Sequence, residues 1–177
     1  MVLWLLEIGG NINQRAPDGD TPLLRAAEGH EDVIAVLCER GADLSVVNNE
    51  GRGVLHLAAN WTPALKHFLK RGLTINAGDK TGLTPLHYAA RGAADEEIPL
   101  LLSEGANVNA QDDDGNTPLH IIFFSDEFRP DIEFPTFKAL VDGGADKTIK
   151  NKEGETPYDL AKKYQYPAEY LELLVTP

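Results

Sequence analysis

Apolar residues along the chain come in short blocks that are separated by polar segments containing glycine. Val33, Val36 and Leu37 fall on one face at helical spacing, which predicts an amphipathic helix. A second kind of block follows a Thr-Pro pair, as in Thr84-Pro85-Leu86-His87. Threonine caps free N–H groups and proline presets the first helical dihedral, so this block predicts another helix. The two kinds of block alternate, which predicts pairs of helices.

A glycine two residues before each Thr-Pro pair, or before its substitute, marks a recurring turn. These glycines are Gly19, Gly51, Gly82, Gly115 and Gly154. They lie 32, 31, 33 and 39 residues apart. Five turns near one period, each followed by matching blocks, predict a repeat protein whose neighbouring units share one continuous core.

The best-formed repeat begins Gly82-Leu83-Thr84-Pro85-Leu86-His87-Tyr88-Ala89-Ala90 and ends Leu101-Leu102-Ser103-Glu104-Gly105-Ala106-Asn107-Val108-Asn109. It resembles the ankyrin repeat, and the resemblance covers nearly the whole chain. The resemblance implies an all-α solenoid of stacked helix-turn-helix units with projecting β-turn or hairpin loops. It also implies a non-catalytic module, without cofactor, that binds a protein or peptide partner.

The repeats predict a single domain over residues 1–177. Its parts are an N-terminal half repeat (1–17), four repeats (18–50, 51–81, 82–114 and 115–153) and a C-terminal capping repeat (154–177). An insertion near 125–135 carries acids and two prolines, which predicts an exposed loop anchored by Phe128 and Phe134. The half repeat indicates either a chain cut from a longer array or an atypical cap.

Some positions depart from the repeat pattern. Leu24 stands where histidine is usual, and Gly53-Val54 replaces Thr-Pro, which should loosen the second repeat. Pro99 falls inside the outer helix of the third repeat. It is tolerated if Asp95 is the N-cap, because the first four N–H groups of a helix have no internal acceptor.

The charge and the cysteine content restrict the class of partner and the cellular compartment. The 177 residues carry a formal net charge of −12, with a pI near 4.7, which argues against a nucleic-acid partner. The apolar run at residues 2–6 is too short to span a bilayer, so no membrane insertion is expected. Cys38 is the only cysteine, which favours a reducing intracellular compartment, cytoplasmic or nuclear. We expect a monomer.

The residues that could in principle act in catalysis or bind a metal are better interpreted as structural residues. The resemblance implies that His56, His87 and His120 bond backbone groups between adjacent turns, and they lie one repeat apart, so they cannot share a metal. Cys38 occupies an apolar-stripe position and is interpreted as a core residue. Asp112-Asp113-Asp114-Gly115 resembles part of a calcium loop but lacks the distal glutamate. We therefore predict no catalytic residue and no metal site.

Ligands of ankyrin arrays usually meet the turn tips and the exposed side of the inner helices. Carrying these positions over nominates the following partner-binding residues: Arg52, Trp61, Lys80, Leu83, Tyr88, Arg91, Asp113, Asp114, Asn116 and Phe124. The alternative for most of the charged residues is that they are solvated turn residues.

Three aromatic residues, Trp61, Tyr88 and Phe124, are predicted at comparable ends of consecutive inner helices. Each either anchors a partner or packs under an irregular link, and for Phe124 packing is the favoured interpretation. Residues 51–81 carry a net charge of +4 between segments of −6 each, so a basic band is a second candidate for orienting a partner.

Three functions are compatible with these features. The leading hypothesis is a protein–protein interaction module, an adaptor or scaffold. The alternative is a reader of basic or methyl-lysine peptides, in which Trp61 and Tyr88 beside Asp113 or Asp114 attract a cation. The third is a targeting arm of a larger multidomain protein.

Overall fold

Short helices alternate with turns in the computed structural model, which describes residues 10–124 and 130–175. These two segments contain α1 (Pro22–Ala26), α2 (Glu31–Glu39), α3 (Val54–Leu57), α4 (Thr62–Leu69), α5 (Pro85–Arg91), α6 (Glu97–Ser103), α7 (Pro118–Ile121), a 3-10 turn (Ile122–Phe124), α8 (Pro130–Asp142), α9 (Pro157–Lys163) and α10 (Ala168–Val175). Neither segment contains a β-strand. Odd-numbered helices are the inner and even-numbered helices the outer members of five pairs, so the all-α prediction is confirmed.

Four inner helices begin at the Thr-Pro pair for a local reason. Their N-caps are Thr21, Thr84, Thr117 and Thr156, each with an extended backbone and followed by proline. Thr156 shows the capping bond, because its hydroxyl oxygen accepts the N–H of Asp159 at 3.2 Å. In the second repeat α3 starts from Gly53, which has no side chain to supply that bond.

A glycine closes the turn that opens each repeat. The N–H of Gly82 donates to the carbonyl of Asp79 at 3.0 Å, and the glycines at 19, 51, 115 and 154 make the equivalent bond. All five have φ between 78° and 85°. A Cβ on Gly82 would lie 2.9 Å from the backbone nitrogen of Asp113 in the next turn. Both the dihedral and the close approach therefore require glycine, and the five predicted turns are confirmed.

Neighbouring turns are joined by one backbone hydrogen bond each. The N–H groups of Asn49, Lys80, Asp113 and Lys152 donate to the carbonyls of Asp18, Glu50, Thr81 and Asp114, each at 2.9 Å. The turns thus form a ladder along one edge of the stack. This ladder sets the turn tips of successive repeats side by side.

The buried core runs from repeat to repeat between inner and outer helices. The alanine pairs at 26–27, 58–59 and 89–90 are buried and let adjacent inner helices approach closely. Ile122 and Phe123 replace that pair in the fourth repeat and are also buried. The ring of Phe123 meets the ring of Tyr166 edge-on, with 4.8 Å between centroids, so aromatic packing joins the last two repeats.

The prediction of an exposed loop near 125–135 is wrong for residues 130–135, which are helical. Helix α8 begins at Pro130 and continues through Pro135. Residues 125–129, which include Phe128, lie outside the described segments. An interior proline removes one helical hydrogen bond, which is why the sequence favoured a loop here.

Burial farther along α8 explains why the helix persists. Phe137 and Leu140 are completely buried, and their transfer from water stabilises the helix by roughly 1.5–3 kcal/mol each. Phe134 is half-buried, and its ring centroid lies 5.0 Å from that of Tyr170 in α10. Phe134 therefore serves as an anchor, as expected, but from within a helix.

Pro99 lies in the first turn of α6. The N-cap is Glu96 rather than the expected Asp95, so Pro99 is the third helical residue. Its missing N–H would have had no acceptor in the helix, and the proline is tolerated for the predicted reason.

Candidate functional site

A concave groove opens between the turns and the inner helices of the third, fourth and fifth repeats. It has a volume of about 540 Å³. Its lining includes Leu83, Tyr88, Arg91, Asp112, Asp114, Asn116, Ile121, Phe124, Lys152, Glu153, Lys163 and Tyr164. Apolar side chains and charges of both signs therefore share one concave surface, which we call the groove.

Arg91, Phe124 and Lys163 form a row across the groove. They are the last residues of α5, of the 3-10 turn and of α9. Each lies four residues after the histidine position of its repeat, which Asp159 occupies in the fifth repeat. Because stacking sets equivalent positions side by side, the row places an aromatic ring between two cations.

Phe124 and Tyr164 are the aromatic pair of the groove. Their ring centroids are 6.5 Å apart, the planes meet at 80°, and the residues are 43% and 48% exposed. The Nζ of Lys163 stands 5.5 Å from the Tyr164 centroid. Large apolar side chains with this exposure lose solvent contact only if another molecule covers them, so the pair is a candidate anchor point.

Tyr88 forms part of the groove wall and is held in place. Its hydroxyl donates to Oδ2 of Asp79 at 2.7 Å, and its ring packs edge-on against His56 at 5.6 Å. Burial, together with the hydrogen bond to the Asp79 carboxylate, raises the pKa of Tyr88 to about 12. Tyr88 therefore presents a fixed apolar face and stays neutral at physiological pH.

Charges along the groove differ in whether they have an intramolecular partner. Lys163 pairs with Glu155 at 2.9 Å, and this hydrogen bond lowers the pKa of the Glu155 carboxyl. Arg91 and Asp114 are exposed and form no salt bridge within residues 10–124 and 130–175. These two side chains are available to charges on another molecule.

Histidines beneath the groove join adjacent repeats. The Nε2 atoms of His56, His87 and His120 lie 3.1, 3.0 and 3.2 Å from the carbonyl oxygens of Leu83, Asn116 and Glu155. Their Nδ1 atoms accept backbone N–H groups of their own repeats. A carbonyl only accepts, so Nε2 carries the proton and each ring is neutral. Burial lowers the pKa of all three histidines and reinforces that state.

Sequence comparison agrees with this architecture. A sequence model of the family described as ankyrin repeats, in three copies, matches residues 1–79 and again residues 55–151. The chain belongs to the ankyrin repeat family. Ankyrin repeats are in general non-catalytic modules of protein–protein interaction.

Two relatives show how such repeats occur in longer proteins. The human transient receptor potential cation channel subfamily A member 1 is 29% identical over 107 residues, which cover 56% of this chain and 10% of the channel. A probable serine/threonine-protein kinase of Dictyostelium discoideum is 35% identical over 159 residues, which cover 85% of this chain and 18% of the kinase. The chain spans less than a fifth of either relative.

The ankyrin groove brings together six of the ten nominated residues. Leu83, Tyr88, Arg91, Asp114, Asn116 and Phe124 line it, whereas Arg52, Trp61, Lys80 and Asp113 do not. Asn116 is buried, and its side-chain oxygen accepts Nδ2 of Asn151 at 3.1 Å. Asn116 therefore shapes the groove wall rather than offering a free polar group.

Predicted positions of the three aromatic residues need correction. Tyr88 is the fourth residue of α5 rather than at its end, and Trp61 precedes α4, where it is half-buried against the core. Of the two alternatives for Trp61, partner anchor or packing residue, its position agrees with packing. For Phe124 the favoured packing interpretation is wrong, because the short 3-10 turn leaves the ring 43% exposed in the groove.

The basic residues of segment 51–81 lie outside the groove of the third to fifth repeats. Arg52 pairs with Glu50, and the guanidinium of Arg71 donates to the carbonyl of His67 at 2.6 Å. Lys66 lies exposed on the outer helix α4. The excess charge of this repeat is therefore dispersed.

Tyr164 and Lys163 line the groove but were not nominated from the sequence, which is true also of Asp112, Ile121, Lys152 and Glu153. Lys163 was detectable, because it lies at the same offset from Asp159 as Arg91 does from His87. Tyr164 follows the helix at its C-cap, and no periodic signal marks it. Its place beside Phe124 arises only from the stacking of two repeats.

Among the described residues, no three His, Cys, Asp or Glu side chains come together in a way that suits a metal ion. In the same part of the chain no helix is long and apolar enough to cross a membrane.

Proposed function

We propose that this chain is a non-catalytic protein-interaction module that binds a partner protein or peptide in the groove of repeats three to five. The observation that carries the proposal is the exposed pair Phe124 and Tyr164 inside a concave surface. Aromatic side chains bury much area on binding at little cost in rotamer entropy. Arg91 and Asp114 would add charge selectivity beside this anchor.

A double variant, Phe124→Ser with Tyr164→Ser, tests the proposal. Both residues are exposed, so thermal unfolding should stay close to that of the native chain. Proteins retained specifically by the immobilised native chain should bind the variant about thirtyfold more weakly, as expected for loss of a binding hot spot.

The matched control is Val47→Ser, which removes an exposed apolar side chain (45% exposed) away from the groove. It should retain the native set of bound proteins. If the aromatic double variant retains that set with native affinity, the groove is not the binding site.

A second candidate is a reader of basic or methyl-lysine peptides. It is favoured by the carboxylates of Asp112, Asp114 and Glu153, which line the same groove as Phe124 and Tyr164. Trp61 and Asp113 lie outside the groove, so the cation would meet different residues from those first nominated. Calorimetry with methylated and unmethylated lysine peptides tests this candidate, and equal affinities would dismiss selective methyl-lysine reading.

The module would act as a targeting arm if it belongs to a larger multidomain protein. The two relatives support this, because they are five to ten times longer than their matched segments. The single cysteine supports an intracellular setting, cytoplasmic or nuclear. Determining the full reading frame that encodes the chain tests the multidomain proposal.

A further inference from the structure

Charges of opposite sign lie on opposite sides of the groove. Asp112 and Asp114 belong to the turn that opens the fourth repeat, so they occupy the turn side. Arg91 is the last residue of α5, so it occupies the side where the inner helices end. Lys152 and Glu153, from the turn that opens the fifth repeat, also line the turn side, which thus has three carboxylates against one ammonium group. The groove therefore has an acidic side and a basic side.

Apolar side chains lie between these two sides. Ile121 and Phe124 face the groove from the inner helical segment of the fourth repeat, and Leu83 and Tyr88 do so from the third. The cross-section is thus acidic at one edge, apolar in the middle and basic at the other edge.

The groove width suits a helix. The inner segment from Pro118 to Phe124 contains seven residues, which span roughly 10 Å at the rise of an α-helix. An α-helix with its side chains is about 10–12 Å across. A helix lying along the stack would therefore reach from the turn side to the helix-end side.

The three chemically different strips of the groove (acidic, apolar and basic) also favour a helical ligand over an extended segment. In a strand, successive side chains point to two opposite faces, so a strand can present at most two kinds of surface. A helix can carry an apolar stripe with one charge type on each side of it. Of the two, only a helix can match the acidic edge, the apolar middle and the basic edge of the groove at once.

We infer that the groove binds an amphipathic helix of a partner protein whose apolar stripe is flanked by acidic residues on one side and basic residues on the other. This inference rests on the proposed function. The acidic flank pairs with Arg91, the basic flank pairs chiefly with Asp114, and the apolar stripe covers Phe124. Asp112 contributes less, because both of its carboxylate oxygens already accept hydrogen bonds from Asp114 and Asn116. Lys163 contributes less, because its charge is already paired with Glu155.

Three synthetic helical peptides, cross-linked to hold the helix, test the inference. All share one apolar stripe; the first has an acidic and a basic flank, the second two acidic flanks and the third two basic flanks. Fluorescence polarisation at about 50 mM salt keeps charge interactions measurable. The native chain should bind the first peptide about threefold to fivefold more tightly than either of the others.

Charge reversals should exchange these preferences. Arg91→Glu should favour the peptide with two basic flanks, and Asp114→Lys should favour the peptide with two acidic flanks. The matched controls are Asp113→Lys, on the same turn but outside the groove, and Lys162→Glu, next to Lys163 on α9. Both controls should keep the native order of affinities.

Each outcome separates the two proposals. If the ranking is unchanged by Arg91→Glu and Asp114→Lys, while Phe124→Ser with Tyr164→Ser abolishes binding, the charged edges are irrelevant and the groove remains a binding site. If the native chain binds none of the three peptides, or binds all three equally, the helical partner is rejected. If the double serine variant also retains its protein partners, the groove itself is rejected.

Discussion

The first two repeats and the third and fourth repeats share one turn geometry but treat their charges differently. In the first repeat Arg25 pairs with Asp18 and, at 3.0 Å, with Asp20; in the second Arg52 pairs with Glu50. In the described part of the third and fourth repeats, Arg91 and Asp114 have no such partner. One repeat pattern can thus neutralise the charges of its turns and inner helices in one part of a stack and leave them available in another.

The same two regions differ in how well their units are coupled. The side-chain oxygens of Asn13, Asn76 and Asn109 accept a backbone N–H of the following repeat at 2.9, 2.7 and 2.8 Å. Ser45 takes this position in the first repeat, and it makes no hydrogen bond to Thr74 in the second. Together with Gly53 at the start of α3, this leaves the second repeat without a capping hydroxyl and without the asparagine bond to the repeat before it. The groove of the third to fifth repeats lies outside this less coupled unit.

The largest expected effect comes from removing the histidine of the third repeat. His87→Ala leaves the carbonyl of Asn116 and the N–H of Thr84 without their partner in a buried setting, so unfolding free energy should fall by about 2–3 kcal/mol. His56→Ala should cost less, about 1–2 kcal/mol, because Gly53 offers no hydroxyl to the ring. Urea unfolding measures both, with exposed His30→Ala as control. Equal losses for His56 and His87 would contradict the difference between the repeats.

Acid should weaken the stack through the same histidines. Burial lowers the folded-state pKa of His56, His87 and His120, whereas the unfolded chain takes up the proton near pH 6.5. Stability should therefore be complete above about pH 6.5 and decline as the pH falls through the folded-state values. Urea unfolding between pH 7.5 and pH 5 checks the trend. Constant stability over that range would argue against neutral buried rings.

Restoring the helix cap of the second repeat should stabilise the chain moderately. Gly53 has φ −99° and ψ −178°, which threonine adopts as an N-cap, and a Cβ there would lie 3.6 Å from Cγ1 of Val47. Gly53→Thr should raise the unfolding free energy by about 0.5–1 kcal/mol. Gly51→Thr is the control: φ is 81°, a Cβ would lie 2.8 Å from the nitrogen of Lys80, and the variant should lose stability. A loss for Gly53→Thr would mean that the repeat needs its glycine.

The smallest expected effect is the repair of the missing asparagine bond. Ser45→Asn should supply an acceptor for the N–H of Thr74 and raise the unfolding free energy by about 0.5 kcal/mol. Hydrogen exchange at the Thr74 amide reports the new bond directly. Unchanged exchange at this amide would show that the loose contact has another cause.

Much of the fold was predictable because its determinants are local. A cap residue, a proline and a glycine with positive φ each act within one turn. Thr84, Pro85 and Gly82 therefore predict the local backbone without knowledge of the tertiary structure. The insertion was less predictable. Pro135 is a helix breaker by local rules, yet the burial of Phe137 keeps it inside α8.

The groove was half predictable. Counting positions within the repeat identified Arg91, Asp114 and Phe124, because stacking converts equal sequence positions into neighbours. The same counting placed Arg52 and Trp61 in the groove, but it cannot see that Arg52 is paired with Glu50 or that Trp61 packs against the core.

The repeat, its turns and its helix starts follow from the sequence alone. These depend on residues close together in the chain or separated by one fixed period. Only the tertiary structure decided that Tyr164 stands beside Phe124 and that Arg91 and Asp114 stay unpaired. Those facts depend on contacts between residues tens of positions apart, where burial and competition among charges outweigh local preference.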